Sequence, residues 1–290
     1  MSELRLKGFG PINSHIIGRV LKEAVRRATV VIRNERFVFE AHTKESYSGT
    51  MDDVFTSADI KAQEIYLRTF QECFPLCGVV AEEESLTIPS RDGCTAYFTV
   101  DSLDGTKAYV RRQSHGVGTM VALVQDGVVI SAFIGDTNTE EMYGYRPGST
   151  KVHRITRLDT FEVLDPNKAA DLKSRYMLLR NPPNYYSKAA QKLLPKFKNY
   201  EVMGASIGVW MARLWKGEVG AVLINKGWET PWNSTPVIGI SQKLGYVFLR
   251  PSIDGLSWKE YQPTIATNKY YREHDILVIH RNNLNSLFPD

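Results

Sequence analysis

Apolar residues recur at a helical spacing in the first part of the chain. Residues 14–34 carry them on one side of a long helix, for which Asn13 or Ser14 is a suitable cap. Residues 57–74 repeat this spacing, and a proline then ends the second predicted helix. The segment between them, residues 40–53, is polar and has the composition of a flexible loop. This part of the chain therefore predicts two helices joined by a loop.

Strand patterns dominate the middle of the chain. A β-hairpin in residues 119–136 is the strongest local signal, because two apolar runs are joined there by an Asp-Gly turn. Two shorter apolar runs precede it, at residues 78–81 and 97–100. Helices followed by strands predict an α+β organisation for residues 1–150.

Beyond residue 150 the pattern changes to alternating strands and helices. The predicted strands are residues 176–180, 200–203, 219–224, 246–249 and 276–280, and the helices between them are residues 187–194, 205–217 and 234–244. This alternation is typical of an α/β fold. We therefore expect an α/β half over residues 151–290, packed with the first half as one compact unit.

Composition and charge narrow the classes of function. The 290 residues are 43% hydrophobic, which is enough for a large core. The net charge of +4 is spread without a long basic run, so it favours a small anionic substrate and argues against a nucleic-acid polymer. We see neither a signal-peptide pattern at the start nor a membrane-length apolar run, and therefore expect a cytoplasmic protein without a membrane partner.

Acidic residues follow two neighbouring predicted strands. Glu82, Glu83 and Glu84 end the first, and Asp101 and Asp104 end the second. Closely packed carboxylates repel one another and would take up protons unless a multivalent cation joins them. Oxygen ligands without His or Cys select a hard cation, Mg²⁺ before Ca²⁺ or Mn²⁺. The pattern therefore predicts a magnesium site.

The residues after these aspartates offer a place for phosphate. Gly105 and Thr106 open a predicted helix whose free N–H groups could bind a phosphate oxygen. Taken alone, D-x-x-D-G-T is typical of an ordinary turn with a helix cap. Its combination with the glutamates is what favours a shared metal and phosphate site.

Four motifs in a fixed order resemble the inositol monophosphatase superfamily of magnesium-dependent, lithium-sensitive phosphatases. They are D-x-x-T-x-x-D at residues 53–59, A-E-E at 81–83, D-S-L-D-G-T at 101–106, and Trp232-Asn233 with Gly245 twelve residues on. The resemblance covers about residues 13–280. It implies a layered αβαβα sandwich of the inositol monophosphatase/fructose bisphosphatase type, with the active site between the two halves.

The resemblance also implies roles for individual residues. A first Mg²⁺ would be held by Glu82, Asp101 and the carbonyl of Leu103, and a second by Asp101, Asp104 and position 233. A third, weaker ion would lie near Glu82 and Asp59. A metal-activated water would attack phosphorus with help from Thr106 and Asp59, while the N–H groups of Gly105 and Thr106 hold the phosphate. A one-residue slip in the glutamate run would make Glu83 the ligand instead of Glu82.

Two positions depart from the superfamily pattern. Ser102 replaces a proline, which loosens a turn without removing a ligand. Asn233 replaces an aspartate ligand, so a neutral oxygen stands where the second ion needs a charge, and that ion should be weak. Glu229, four residues earlier, could supply the charge. The alternative is a non-catalytic or weakly active relative that binds a phosphorylated ligand.

Substrate specificity rests on fewer signals. Lys226 stands where inositol-specific members carry an acidic group, and a cation there suits a second phosphate or a carboxylate. Lys107, Arg111 and His115 would share a face of a helix. Gly204, Ala205 and Ser206 match the family segment that opens a helix at the substrate pocket.

Together these features predict a Mg²⁺-dependent phosphomonoesterase of a small phosphorylated metabolite, such as a bisphosphorylated nucleotide or sugar. The alternative within the enzyme class is an inositol or sugar monophosphatase. Whether the chain forms a homodimer is left open.

Overall fold

A computed structural model describes residue 9 and residues 12–46, 49–51, 53–166 and 171–288. The helices in it are α1 Ser14–Glu35, α2 Ser57–Cys73, α3 Thr106–Val110, α4 Lys188–Gln191, α5 Ile207–Trp215, α6 Pro231–Lys243 and α7 Leu284–Leu287. None of the helices in these ranges is long and apolar enough to cross a membrane.

The two predicted N-terminal helices are confirmed, and their caps explain where they begin. Asn13 Oδ1 accepts a hydrogen bond from the N–H of Ile16 at 3.0 Å, so Asn13 is the cap of α1. Thr56 and Asp59 form a reciprocal capping box at the start of α2. The second motif aspartate of D-x-x-T-x-x-D is therefore fixed by the helix that it opens.

The first large sheet has eight strands in the order β10-β9-β8-β7-β6-β5-β3-β4. Its strands are β3 Gly78–Ala81, β4 Thr87–Ile88, β5 Ala96–Asp104, β6 Gly118–Gln125, β7 Val128–Asp136, β8 Met142–Tyr145, β9 His153–Ile155 and β10 Phe161–Val163. The predicted hairpin is confirmed as β6 and β7, which pair antiparallel. Helices α1 and α2 pack on one face of this sheet, and α5 and α6 on the other.

The second large sheet has six strands in the order β12-β11-β13-β18-β15-β16. Its strands are β11 Tyr176–Leu179, β12 Asn199–Val202, β13 Ala221–Ile224, β15 Tyr246–Pro251, β16 Trp258–Tyr261 and β18 Ile276–His280. Its outer face packs a separate apolar cluster that includes Ala190 of α4 and Leu287 of α7. With α5 and α6 between the sheets, the expected αβαβα sandwich is confirmed.

Two small sheets were not expected from the pattern. In the segment interpreted as a loop, β1 Ala41–Lys44 pairs antiparallel with β2 Asp53–Thr56, so the loop prediction is wrong at its two ends. Tyr47, Ser48 and Asp52, inside that segment, lie outside the described residues. The second pair is β14 Gly227–Glu229 with β17 Tyr270–Arg272.

Other differences concern lengths and the passage between sheets. Helix α3 ends at Val110, so Lys107, Arg111 and His115 do not share one helical face. Arg112 has a positive φ of 55°, so the chain leaves the helical conformation two residues after the end of α3. Because β9 and β10 pair within the first sheet, the chain reaches the second sheet only at β11. The division at residue 150 stays a prediction.

Candidate active site

The parallel pairing of β3 with β5 brings the two acidic motifs together. Ala81, the last residue of β3, pairs with Val100, so Glu82 and Asp101 leave the paired region side by side. Between Asp101 and Asp104 the register with β6 shifts, which marks a bulge in β5. Both aspartates therefore lie at the end of β5, on either side of the bulge, just before α3 begins.

Asp101 is the most deeply buried of these carboxyl groups, with 1% of its surface exposed. Burial raises the pKa of Asp101 well above its usual value, and the charges of Glu82 and Asp104 raise it further. Its Oδ1 atom is buried and has no hydrogen-bond partner among the described residues. A buried carboxylate oxygen without a partner is costly, and a bound cation would remove that cost.

Asp104 is held by the start of α5. Its Oδ2 accepts from Ser206 Oγ at 2.6 Å and from the N–H of Gly208 at 3.0 Å. Burial raises the pKa of Asp104 to about 6, although these two hydrogen bonds and the charge of Arg180 oppose the rise. Of the predicted segment Gly204, Ala205 and Ser206, it is Ser206 whose side chain contacts the site. Ser206 is also the N-cap of α5.

The turn after Asp104 needs a glycine. Gly105 has a φ of +94°, and a Cβ there would lie 2.2 Å from the carbonyl oxygen of Gly116 and 2.9 Å from the nitrogen of Ser206. Only the smallest residue therefore lets the D-G-T turn pack against the segment that precedes α5. This contact fixes Thr106 beside Asp104.

Thr106 and Asp59 meet as the motifs require. Thr106 Oγ1 lies 3.2 Å from Asp59 Oδ1 and 3.1 Å from the carbonyl oxygen of Leu103, and it can donate to either. Asp59 Oδ2 accepts from the N–H and the Oγ1 of Thr56 at 2.7 and 2.6 Å. Burial raises the pKa of Asp59 to about 6, against these bonds from Thr56. The pair is suited to accept and pass on a proton near neutral pH.

Lys44 is a site residue that the sequence analysis missed. Its Nζ lies 3.1 Å from Glu82 Oε1 and 3.2 Å from Glu83 Oε1. Burial alone would lower the pKa of Lys44, but the two glutamates outweigh burial and raise it. Burial, together with the charge of Glu82, raises the pKa of Glu83 to about 7. Nothing in the motif pattern singled out a lysine in a segment interpreted as a loop.

Asn233 lies where its motif places it, but with the amide nitrogen towards the carboxylates. Asn233 Nδ2 donates to Asp101 Oδ2 at 2.5 Å, and Asn233 Oδ1 accepts from Thr230 Oγ1 at 2.5 Å. Glu229, the alternative source of charge, is paired with Arg272 at 2.8 Å. Arg272 is 3% exposed and also donates to the carbonyl oxygens of Asn225 and His274. The charge of Glu229 is therefore already balanced.

A cavity of about 260 Å³ opens beside Asp104 and Asn233. Its walls come from both large sheets: Asp104 ends β5 of the first sheet, whereas Arg180 and Lys226 follow β11 and β13 of the second. Lys226 is exposed, and its N–H donates to the buried carboxylate of Asp275 at 3.1 Å. Lys107, by contrast, lies 3.7 Å from Asp53. Arg180 and Asn181 were not found from the sequence, because no motif marks them.

The acidic residues around Asp101 offer oxygen donors for a cation. Among the described residues, no three His, Cys, Asp or Glu side chains are already arranged to hold a metal ion. The donor chemistry nevertheless fits a hard cation, because Asp101 offers an unpartnered buried oxygen next to Glu82 and Asp104. Lys44 Nζ donates to Glu82 and brings a positive charge to this group, and the neutral amide of Asn233 donates to Asp101.

The raised carboxyl pKa values predict how stability depends on pH without divalent metal. The pKa values of Asp59, Asp104 and Glu83 are raised to about 6, 6 and 7, whereas unfolded carboxyl groups titrate near 4. The folded state therefore binds more protons than the unfolded state between these values. We expect the contribution of these groups to the free energy of unfolding in EDTA to rise by at least about 1 kcal/mol from pH 7.5 to pH 5.5.

Urea unfolding at the two pH values measures this change. The Glu83→Gln variant is the matched control, since it removes one of the three groups and should reduce the difference between the two pH values. An identical pH difference in wild type and Glu83→Gln would contradict the prediction for Glu83.

Solved structures with a similar fold define the class of this protein. The chain superposes on the IMPase of Thermotoga maritima with a TM-score of 0.69 at 14% identity, covering 92% of each chain. It superposes on the extragenic suppressor protein SuhB of Bartonella henselae with a TM-score of 0.71 at 16% identity, covering 93% of this chain and 98% of that one. The fold is therefore that of the IMPase proteins.

A third structure, an IMPase/NADP phosphatase complexed with Mg²⁺ and phosphate, gives a TM-score of 0.67 at 15% identity over 94% of both chains. The sequence profile of the inositol monophosphatase family matches residues 16–284. The chain belongs to the inositol monophosphatase family. No curated protein sequence matches it.

Proposed function

We propose that this protein is a Mg²⁺-dependent phosphomonoesterase that acts on a small phosphorylated metabolite. The observation that carries the proposal is the buried, unpartnered Oδ1 of Asp101 beside Glu82 and Asp104, next to the Asp59–Thr106 pair. Buried carboxylates that raise one another's pKa are unfavourable in the charged form unless a cation balances their charge. Membership of the inositol monophosphatase family supports the same reading.

The chain offers residues for the cation and for the proton. Glu82, Asp101 and the carbonyl of Leu103 would hold one Mg²⁺, and Asp101, Asp104 and Asn233 a second, weaker one; the family resemblance implies a third near Glu82 and Asp59. When bound, Mg²⁺ lowers the pKa of a coordinated water and neutralises charge on a phosphoryl group. The hydroxyl of Thr106 would accept a proton from the attacking water and pass it to Asp59.

Phosphate and the rest of the substrate would lie in the cavity beside Asp104. The N–H groups of Gly105 and Thr106 would bind the phosphate, and Ser206 with Gly204 and Ala205 would border it. Lys226 and Arg180 add positive charge at the cavity wall. They would attract an anionic substrate and hold it in orientation.

A phosphatase assay with and without Mg²⁺ tests the proposal. The panel would contain inositol monophosphate, sugar phosphates and nucleotide bisphosphates. We expect phosphate release from at least one of them that EDTA abolishes and added Mg²⁺ restores. Metal-independent release at the same rate would contradict the proposed mechanism.

A non-catalytic relative that binds a phosphorylated ligand is the second candidate. It is favoured by one observation, the amide of Asn233 that donates to Asp101 where the family pattern has a carboxylate. Binding of a phosphorylated metabolite without turnover at any Mg²⁺ concentration would support this candidate instead.

Lys226 provides a prediction about substrate class. If its ammonium binds a second anionic group, a substrate with two phosphates should have a higher kcat/KM than its monophosphate counterpart. Lys226→Glu should reduce that preference by about 10-fold or more, because a charge-assisted hydrogen bond is lost. Lys188→Glu, an exposed lysine on α4, is the control with the same charge change. Equal kcat/KM values for the two substrates in wild type would rule out this assignment.

Asn233 provides a prediction about metal affinity. Asn233→Asp adds an anionic oxygen beside Asp101, so the Mg²⁺ concentration needed for half-maximal activity should fall by about 10-fold. Glu229→Gln should leave this concentration unchanged, since the Glu229 carboxylate is paired with Arg272. A Mg²⁺ titration of the three proteins measures it. If Asn233→Asp has the same metal requirement as wild type, position 233 is not a ligand.

A further inference from the structure

A second cavity lies on the opposite part of the first sheet from the carboxylates. It has a volume of about 490 Å³, and α1, β7, the end of β8, and the β9–β10 hairpin form its walls. Three strand spacings separate β8 from β5, which carries Asp101, or about 14 Å. It shares no lining residue with the cavity beside Asp104.

The charge of this cavity is one-sided. Six basic residues line it, and none of its described lining residues is acidic: the six are His15, Arg19, Lys22, Arg146, Lys151 and His153. We call it the basic cavity. Lys22 is paired with Asp159 at 3.1 Å, but no carboxylate pairs with Arg19, Arg146 or Lys151 among the described residues. Three permanent positive charges therefore face one space without a counter-charge.

A histidine inside the cavity reports the same field. Burial lowers the pKa of His153, and the neighbouring charges of Lys151 and Arg146 lower it further. Burial disfavours a charge of either sign, but the part of this shift that comes from Lys151 and Arg146 shows a positive field in the cavity, and such a field favours an anion. The N-terminus of α1, at Ser14, adds the positive end of a helix dipole.

The fold fixes the backbone around the basic cavity and one of its charged side chains, Arg146. Gly18 lets α1 approach the strand end, because a Cβ at this position would lie 2.4 Å from the Cβ of Arg146. Arg146 is held by hydrogen bonds to Ser14 Oγ at 3.2 Å and to the carbonyl of Pro147 at 3.0 Å. Ser149 Oγ donates to the carbonyl oxygen of Lys151 at 2.8 Å and accepts from the N–H of Lys151 at 3.1 Å. These two bonds fix the turn between β8 and β9.

The floor of the cavity is apolar. Phe133, Tyr145 and Ile155 are buried beneath it, and Phe161 stands at its side with 58% of its surface exposed. Inorganic ions gain nothing from such a floor, whereas an aromatic or apolar group does. The volume is within the range of small-molecule sites and suits a compact organic ligand better than a polymer.

We propose that the basic cavity binds a small organic anion that carries two or more negative charges on an aromatic or apolar body. The charges would lie against Arg19, Arg146 and Lys151, and the apolar body against Phe133 and Phe161. This ligand site is separate from the phosphatase site and does not depend on the proposed activity.

Calorimetric titration of the metal-free full chain with benzene-1,3,5-tricarboxylate tests the proposal. Divalent metal is removed with EDTA and the EDTA is then removed by desalting, so that neither a bound cation nor a competing polyanion is present, and the variants below show which of the two cavities the probe occupies. The comparison probes are inorganic phosphate, which has charge alone, and benzyl alcohol, which has a ring alone. We expect one site for the tricarboxylate and at least about 10-fold weaker binding of either comparison probe.

Two kinds of variant locate the binding. The double variant Arg19→Glu, Lys151→Glu should weaken binding by at least about 100-fold, since it reverses two of the three unpaired charges. The matched control Lys188→Glu, Lys192→Glu makes the same charge change on exposed residues of the α4 region and should alter binding by less than about 2-fold. Thr150→Trp should weaken binding by about 10-fold or more by filling the cavity without a charge change.

Circular dichroism and the melting temperature of each variant establish that it is folded. The proposal is overturned if wild type does not bind the tricarboxylate. It is also overturned if phosphate binds as tightly, or if the cavity variants and the α4 control bind alike. Should the charge-reversed variant fail to fold, the result with Thr150→Trp decides.

Discussion

Asp101→Asn should lower kcat by about 10³-fold or more, because Asp101 is the carboxylate that both proposed ions would share. Loss of a metal contribution of several kcal/mol corresponds to this factor. The substitution keeps the shape of the side chain, and its oxygen can still accept from Asn233 Nδ2. Steady-state kinetics at saturating Mg²⁺ measures the loss.

The same substitution should not destabilise the metal-free protein. Asp101 is buried beside Glu82 and Asp104, so a neutral side chain removes both a desolvation cost and a repulsion. Asp126→Asn in the hairpin turn is the control, since Asn-Gly suits that turn and lies far from the carboxylates in the fold. Turnover of Asp101→Asn close to that of wild type would show that the site has been misplaced.

Thr106→Val should lower kcat by about 10²- to 10⁴-fold, the usual contribution of a general acid–base group. Valine has nearly the same shape but lacks the Oγ1 atom that lies 3.2 Å from Asp59 Oδ1. The turn itself should survive, because Gly105 and its contact with Gly116 are untouched. The loss should therefore fall on kcat, while KM changes little.

Thr106→Ser is the matched variant, because it restores the hydroxyl without the methyl group. Its kcat should return to within about 10-fold of wild type. The melting temperatures of the three proteins separate catalysis from folding. If valine and serine at this position give equal rates, the hydroxyl takes no part in the chemistry.

Local features of the sequence were enough to predict much of the fold. Helices α1 and α2 have clear caps and an apolar stripe, and the β6–β7 hairpin has an Asp-Gly turn between two apolar runs. Each of these signals is contained in a segment of about 20 residues, so it can be recognised without knowledge of the tertiary contacts. The αβαβα order, by contrast, came from the family resemblance.

The strands that were missed lack such signals. β1 has the sequence AHTK and is mostly exposed, so no alternation of apolar and polar residues marks it. β9 and β10 are three residues long, and only their pairing with β8 assigns them to the first sheet. That pairing is a tertiary contact that the local pattern does not contain.

The candidate site shows the same division. The motif residues Asp59, Asp101, Asp104 and Thr106 lie together, as the resemblance implied, with Glu82 beside Asp101. The partners that set their charge balance were not predictable, because they come from distant parts of the chain. Glu229 pairs with Arg272, which is 43 residues away in sequence, and no motif links the two.

The ion pairs of Lys44 with Glu82 and Glu83 bear on whether the protein needs a metal ion in order to fold. On folding, the chain must bury Glu83 and place Glu82 beside Asp101. The ammonium group of Lys44, 3.1 Å from Glu82 and 3.2 Å from Glu83, supplies a positive charge that is part of the chain itself. We therefore expect the chain to fold without a divalent cation. A chelator should then abolish the proposed phosphatase activity without unfolding the protein.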